Sequence, residues 1–160
     1  MKKLNFSCGN DIKEGWDNCD WQKGKNVIFC DANKFPYPFK KNTYDYIYAR
    51  NCLQLFNEPR KVLEELWRIS KDGAIIEVIT AHWHNKGAYT DLDTKHFFNE
   101  QSFIKLVEGN CRIEYKPKFK IEKIKLVQTK IGKFIPFREK LSNIFGGLIG
   151  EMNIKLKVIK

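Results

Sequence analysis

Three positions near the start of the chain carry groups that could hold a nucleoside. The apolar stretch Leu4-Asn5-Phe6 leads into Ser7-Cys8-Gly9, where a glycine lets backbone approach a ligand closely. Asp20 ends a second short segment, Trp16 to Asp20, and Asp31 follows a third, Val27-Ile28-Phe29-Cys30. As neighbouring parallel strands, these segments would place both carboxylates at the carboxyl edge of a sheet, where open α/β sheets bind ligands. A carboxylate there can accept from ribose hydroxyls, and one on the next strand from an adenine amino group. The spacing therefore points to an adenosine-containing ligand.

A second group of reactive residues lies further along. His82-Trp83-His84 follows Ala74-Ile75-Ile76-Glu77-Val78-Ile79-Thr80, and Tyr89 and Asp91 come shortly after. An imidazole titrates near neutrality and can accept a proton from a nucleophile, so His82 is a candidate catalytic group. Tyr89 and Asp91 could orient a substrate. His82, His84, Asp91 and His96 are chemically suitable metal ligands, but their spacing fits no metal signature, and no metal is expected. Cys8, Cys19 and Cys30 recur at equal intervals without a Cys-x-x-Cys pair. That pattern places each near the end of one of three adjacent strands and implies reduced thiols. Neither a Ser-His-Asp arrangement nor a phosphate-binding loop is present.

The elements that must carry these groups read as alternating strands and helices. Short strands are expected at Leu4–Phe6, Trp16–Asp20 and Val27–Cys30, and a fourth over Tyr44–Ala49. Phe35-Pro36-Tyr37-Pro38-Phe39 is irregular, since each proline removes a donor and biases the preceding residue away from helix. A helix is expected from about Glu58 to Ser70, capped by Asn57, with Val62, Leu63, Leu66 and Ile69 as its apolar stripe and Gly73 closing it. Ala74–Thr80 is β-branched and nearly continuous, as in a strand buried on both faces. His82 to Thr94 reads as a loop and Asn99 to Val107 as a helix capped by Asn99. Cys111 to Gln128 alternates lysine with apolar residues as a half-exposed strand, and Asn153–Ile159 alternates as a final edge strand. Between them, residues 130–150 interleave Lys130, Lys133, Arg138 and Lys140 with aromatic and aliphatic residues, and Pro136 breaks any continuous helix.

The size of 160 residues, 42% of them hydrophobic, suits one domain with one core. The apolar runs are too short to span a bilayer, and the first residues lack a signal-type stretch, so a cytoplasmic protein is expected. Of the net charge of +10, residues 111–160 contribute 13 basic against 4 acidic side chains. This basic third could meet an anionic surface, such as lipid, nucleic acid or a phosphorylated substrate, or be a solvated lysine surface.

Taken together these segments resemble the class I S-adenosylmethionine-dependent methyltransferases, in their compact type 11-like branch. Leu4-Asn5-Phe6-Ser7-Cys8-Gly9 is similar to its L-N-x-G-C-G motif. Asp31-Ala32-Asn33-Lys34-Phe35-Pro36-Tyr37-Pro38-Phe39 resembles D-L-N-x-x-P-F-P-F, and Tyr44–Ala49 resembles F-D-x-I-x-A/S. Val62–Ile69 is similar to V-L-x-E-x-x-R-I-L, and Lys71-Asp72-Gly73 to the turn that follows it. Tyr89-Thr90-Asp91-Leu92-Asp93-Thr94-Lys95-His96-Phe97-Phe98 resembles Y-T-D-P-T-H-K-R-F-F. A sulfonium cofactor without pyrophosphate does not need the G-x-G-x-x-G helix start, which this chain lacks.

The resemblance implies a Rossmann-like sheet, mostly parallel with an antiparallel last strand and an abbreviated first helix, formed by residues 1–160 as one domain. It implies S-adenosylmethionine as cofactor, with Ser7, Cys8 and Gly9 near its methionine and ribose and Asp20 on the ribose hydroxyls. Asp31 and the Ala32 backbone would meet adenine, and Asn51 would line the cavity beneath the sulfonium. His82 matches a family histidine. The chain departs from the family at Ser7, which replaces a glycine, and at Cys52-Leu53-Gln54-Leu55, where V-L-E-H is usual.

Three readings follow. The first is methyl transfer to an O, N or C atom of a small-molecule or lipid-linked acceptor, in the cytoplasm or at a membrane periphery. The second, motivated by Ser7, Gln54 and Leu55, is a non-catalytic relative that keeps the fold as a ligand-binding or interaction module. The third is a basic nucleic-acid-binding protein. It ranks last, because the aromatic residues are scattered in sequence rather than gathered on one strand. Oligomeric state is not legible.

Overall fold

The structure, a computed structural model, describes residues 1–109, 115–130, 132–137, 141 and 146–160. Seven strands form one sheet: β1 (Lys3–Phe6), β2 (Asp17–Asp20), β3 (Val27–Phe29), β4 (Tyr44–Arg50), β5 (Ser70–Ala81), β6 (Lys118–Gln128) and β7 (Ile149–Ile159). Their spatial order is β3-β2-β1-β4-β5-β7-β6. The first five are parallel, and β7 runs antiparallel to both β5 and β6. β7 is therefore an interior strand, not the expected edge. The edge is β6, whose exposed lysines tolerate the position. Among the described residues, no helix is long and apolar enough to cross a membrane.

Two α-helices occur among the described residues, α1 (Pro59–Ile69) and α2 (Glu100–Glu108). Both pack on the same side of the sheet. Val62, Leu63, Leu66 and Ile69 of α1 and Phe103 and Leu106 of α2 share one core with Leu4, Phe6, Ile47, Ile76, Val78, Ile154 and Leu156. Burial of each large aliphatic side chain contributes about 1.5–3 kcal/mol, so this one-sided core is the main stabilising term.

The ends of the helices correct the expectations. Asn57 does not cap α1: Glu58 holds that position without a side-chain cap, and Pro59 suits the first turn. Asn57 instead accepts from Lys95 Nζ at 2.7 Å. Nor does Gly73 end the helix. Ser70 is already extended and opens β5, and Gly73, at φ +71°, lies within that strand, where the β4–β5 register shifts. α2 begins with the expected Asn99, whose side chain accepts from Ser102 N in a reciprocal capping box.

The other sheet face has no helix over it among the described residues. Residues 9–16 form an irregular loop, held by two side chains. Asn5 Nδ2 donates to Asp11 O at 2.6 Å and to Asn18 Oδ1 at 2.9 Å, while Asn18 Nδ2 donates to Lys13 O and Trp16 O. Buried amides thus satisfy backbone groups that a helix would satisfy internally. Trp16 folds onto this face, edge-on to Tyr46 and Tyr48.

Of the segment 130–150, Gly132–Phe134 is a single 3₁₀ turn, and Phe134 and Phe137 are exposed. Gly132 is required there, since a Cβ would stand 2.1 Å from the Leu148 carbonyl oxygen. The expected features at residues 111–114, Arg138, Lys140, Ile144 and Phe145 lie outside the described residues.

Candidate functional site

The carboxyl ends of β1 to β5 converge on one edge. After β1 the chain turns through Ser7, at φ +53°, and Gly9, at φ +51°. The turn is tied to β2 by Asp20, which is buried. One Asp20 oxygen accepts from Gly9 N at 2.9 Å and the other from Gln22 N at 3.0 Å. Cys8 lies inward with its thiol donating to Gly9 O, and burial pushes its pKa up, with Asp20 adding to the shift. Cys19, Cys30 and Cys52 are also buried free thiols. Burial pushes Cys52 up to about 12, so it is a core thiol rather than a nucleophile.

Among the described residues, two larger cavities open along this edge. The first, of about 380 Å³, is lined by Ser7, Trp21, Asp31, Ala32, Phe56 and Lys95, among others. Asp31 Oδ1 accepts from Asn33 N at 3.0 Å, and its other oxygen faces Lys34 Nζ at 3.3 Å. Ala32 is fixed from behind by Tyr37, whose hydroxyl donates to Ala32 O at 2.9 Å. Tyr37 is fixed in turn by α1. Its N–H donates to Glu65 Oε2 at 2.8 Å, and Arg68, bidentate on Glu65, donates to the carbonyls of Tyr37 and Phe39. The irregular 35–39 segment is thereby a strut between helix and cavity wall.

The second cavity, of about 480 Å³, is lined by Asn51, Gln54, Thr90, Asp91, Gln128 and Glu151, with small residues between. Asn51 follows β4 at φ +50°, its N–H bonded to Ile79 O at 2.8 Å. Asp91 is exposed, with Oδ1 accepting from Asp93 N. The cavities share a wall. Leu55 and Phe56 face the first and Asn51 and Gln54 the second, while the Gln54 carbonyl accepts from both Lys95 N (2.9 Å) and His96 N (3.1 Å).

The sequence-predicted residues divide accordingly. Ser7, Asp31 and Ala32 line the first cavity and Asn51 and Asp91 the second. Cys8, Gly9 and Asp20 form the turn behind the first rather than its lining. His82 stands at the expected edge, after β5, but alternation puts it on the helix-covered face. There it is 2% exposed, with Nε2 3.4 Å from Glu100 Oε2 and Nδ1 accepting from His84 N. Burial lowers its pKa more than Glu100 raises it, so the ring is neutral near pH 7. It lines neither cavity. Tyr89 is exposed and stacks on Phe97 at 4.5 Å.

Sequence reasoning missed Trp21, Asp93 and Lys95 in the first cavity and Thr90, Gln128 and Glu151 in the second. Trp21, a 64% exposed tryptophan directly after a strand-end carboxylate, was the available signal. Among the described residues, no cluster of His, Cys, Asp or Glu could hold a metal.

Comparison with known proteins agrees with this layout. Residues 3–78 match the model of a methyltransferase domain. A search of curated proteins finds no match. Among solved structures, a SAM-dependent methyltransferase from Archaeoglobus fulgidus superposes with a TM-score of 0.72 at 14% identity, covering 98% of this chain and 86% of that one. The cyclase SpnF gives a TM-score of 0.65 at 14% identity, covering 99% and 74%. A Haloferax volcanii complex between the Trm112 methyltransferase activator and a methyltransferase gives 0.62 at 10% identity, covering 99% and 82%. The likeness in structure is one of fold, and the match of residues 3–78 to a methyltransferase domain implies S-adenosylmethionine as cofactor.

Proposed function

We propose that the chain transfers a methyl group from S-adenosylmethionine to an acceptor seated in the cavity bounded by Asn51, Gln54, Asp91 and Glu151. The observation that carries this reading is the pair of cavities on one sheet edge, lined from the same segment by Leu55 and Phe56 on one side and Gln54 on the other, with Lys95 and His96 bonded to the Gln54 carbonyl. The first cavity offers an aromatic face (Trp21), a carboxylate (Asp31) and the Ala32 backbone, a donor and acceptor set suited to adenosine. Asp20 acts on the ligand through the Gly9 turn that it holds. Asn51 lies toward the second cavity, where a reacting methyl would face the acceptor.

S-adenosylmethionine, when bound, supplies a methyl on a sulfonium that is already activated, so the protein's part is chiefly orientation. Asp91 and Gln128 can orient hydroxyl or amino groups of the acceptor, and Tyr89 and Phe97 form an aromatic rim. His82, spent on Glu100 and His84, anchors α2 to the end of β5 instead of meeting the acceptor. Residues 1–160 work as one domain, and the buried free thiols suit a reducing, cytoplasmic setting.

A non-catalytic ligand-binding role is the second reading, since Gln54 and Leu55 put an amide and an aliphatic side chain beside the two cavities where the resembled family has an acid and an imidazole. Calorimetry with S-adenosylmethionine and S-adenosylhomocysteine tests the shared premise. Both should bind, and Asp31→Ala should weaken binding about tenfold or more, the loss of one charged hydrogen bond. Absence of heat with either ligand overturns both readings. Binding without S-adenosylhomocysteine release across acceptor pools selects the second.

A further inference from the structure

We infer that the sheet face opposite α1 and α2 binds single-stranded nucleic acid along β6 and β7. The strand register lays out a lattice of ammonium groups there. Lys120 lies directly opposite Lys157 and Lys123 opposite Lys155, and the same face continues through Lys118 and Lys125. Alternate residues on a strand are about 6.6 Å apart and adjacent strands about 4.8 Å, so the six charges form a continuous band.

Like charges directly opposite on one sheet face destabilise it. An edge strand can carry lysines to block edge-to-edge pairing, and that accounts for β6. It does not account for Lys155 and Lys157, because β7 lies between β5 and β6 and has no free edge. Lys118, Lys120, Lys123, Lys125 and Lys157 make no ion pair among the described residues, and Lys155 has only Glu77, at 4.0 Å. The remaining carboxylates on this part of the face are Glu77, which also holds Tyr46 and Asn153, Glu151, which faces Arg50, and the exposed Glu122 at the β6 bulge beside Lys123. The repulsion is thus built in and is relieved by an external polyanion.

The rest of the face selects among polyanions. A second copy of the chain would bring the same positive band and be repelled. On β4 the same face carries Tyr46 and Tyr48, with Trp16 folded against them, Lys3 Nζ 5.0 Å over the Trp16 ring and Lys13 Nζ 4.7 Å over the Tyr48 ring. The aromatic residues scattered in sequence are therefore gathered by the sheet. Basic rows beside half-exposed rings are what a phosphodiester chain with stacking bases uses. A bilayer is flat, whereas this face follows the sheet's twist, and the lysine rows carry polar Asn153 at one end and a single apolar side chain, Ile159, at the other. β6 also runs from Lys118 toward Val127 and Gln128, which line the second cavity, so a strand following the lysines reaches the acceptor side of the site.

The test is fluorescence anisotropy of a labelled single-stranded RNA oligonucleotide across a salt series, with poly-glutamate and anionic vesicles as competing probes. The intact chain should bind with log affinity falling steeply against log salt. The variant Lys120→Gln, Lys123→Gln, Lys125→Gln, Lys157→Gln should bind at least about tenfold more weakly, its slope reduced by roughly 0.7 per lost contact. A control with equal charge loss, Lys23→Gln, Lys25→Gln, Lys40→Gln, Lys41→Gln, should bind like the intact chain. The lysine variant should melt no lower than the intact chain at low salt, because it removes both opposed pairs, and should keep its cofactor affinity. No RNA binding at low salt, equal loss in the control, or tighter lysine-dependent binding of poly-glutamate or vesicles overturns the proposal. The methyltransferase reading is judged separately by cofactor calorimetry.

Discussion

The Asp20 carboxylate and the Gly9 N–H meet at 2.9 Å, and the same carboxylate holds Gln22 N at 3.0 Å. A buried acid at the end of β2 thereby sets the backbone of the turn after β1, whose Ser7 lines the first cavity. Charge-assisted bonds of this kind contribute about 1.5–3 kcal/mol each, less where they are partly open to water as here. Asp20→Ala should lower unfolding free energy by about 2–4 kcal/mol and weaken S-adenosylmethionine binding. Asp20→Asn, which retains one acceptor oxygen, should fall between. Denaturant titration with calorimetry on the three proteins checks this, and an unaltered Asp20→Ala would show that the turn holds itself.

Ser7 stands at φ +53°, in the left-handed region that a side chain disfavours, and it lines the first cavity. Ser7→Gly should relieve that conformation and raise stability by up to about 1 kcal/mol, net of the entropy that glycine adds to the unfolded chain. Removing the hydroxymethyl group should also leave cofactor affinity equal or higher. Weaker binding in Ser7→Gly would instead assign the hydroxyl a direct contact with the ligand.

Which parts were legible in the sequence follows from physical range. β1 to β5 and both helices are written in local periodicity, and their order in the sheet follows from parallel crossovers. β7 was misplaced at the edge because its alternation is the same whether one neighbour or two flank it; only the long-range pairing with β5 decides. The Gly73 error has a similar source. A glycine at φ +71° after a helix resembles a terminator, but the tertiary pairing of Ser70 with Tyr44 starts the strand first. Of the expected site residues, Asp31 and Ala32 line the first cavity just past the end of β3, Asn51 lines the second just past β4, and Asp91 reaches it from the segment after β5. His82 sits at the right edge but on the helix-covered face, because Glu100 lies where the imidazole points, a contact across 18 residues that spacing cannot reveal. The one-sided helical cover is a matter of what Asn5 and Asn18 bond, which composition does not show.

The Glu65–Arg68 clamp gives a pH signature. Burial pulls the Glu65 pKa up, but Arg68 and the Tyr37 N–H outweigh it, and the net shift is downward. A carboxylate with a lowered folded-state pKa contributes stability above its ordinary value near 4.5 and loses it as pH falls through the folded value. Glu65→Gln should cost on the order of 1–3 kcal/mol at neutral pH and flatten the acid limb of the stability curve. Because the clamp supports Ala32 through Tyr37, cofactor affinity should fall with it. Denaturation midpoints between pH 3 and 7 give the comparison, and an acid limb as steep as the intact protein's would place the titration elsewhere.

His82 titrates with the same sign for a different reason. Burial is the larger influence and favours the neutral ring, while Glu100 pulls the other way and His84 adds to the lowering. The unfolded imidazole takes up its proton near pH 6.5 and the folded one only below that. The folded state therefore holds the stability fully above the unfolded value and loses it as pH falls through the folded one. Glu100→Gln removes the counter-influence, lowers the folded pKa further, and should make stability fall more steeply between about pH 6.5 and 5. His82→Asn should abolish that part of the pH dependence and loosen α2 from the end of β5, while leaving affinity for S-adenosylmethionine within about twofold, since the ring lines neither cavity. Stability curves of the three proteins, read beside calorimetric affinities, separate an anchoring histidine from a catalytic one. A His82→Asn variant of normal stability and normal cofactor affinity, but without methyl transfer to an accepted substrate, would return His82 to the chemistry.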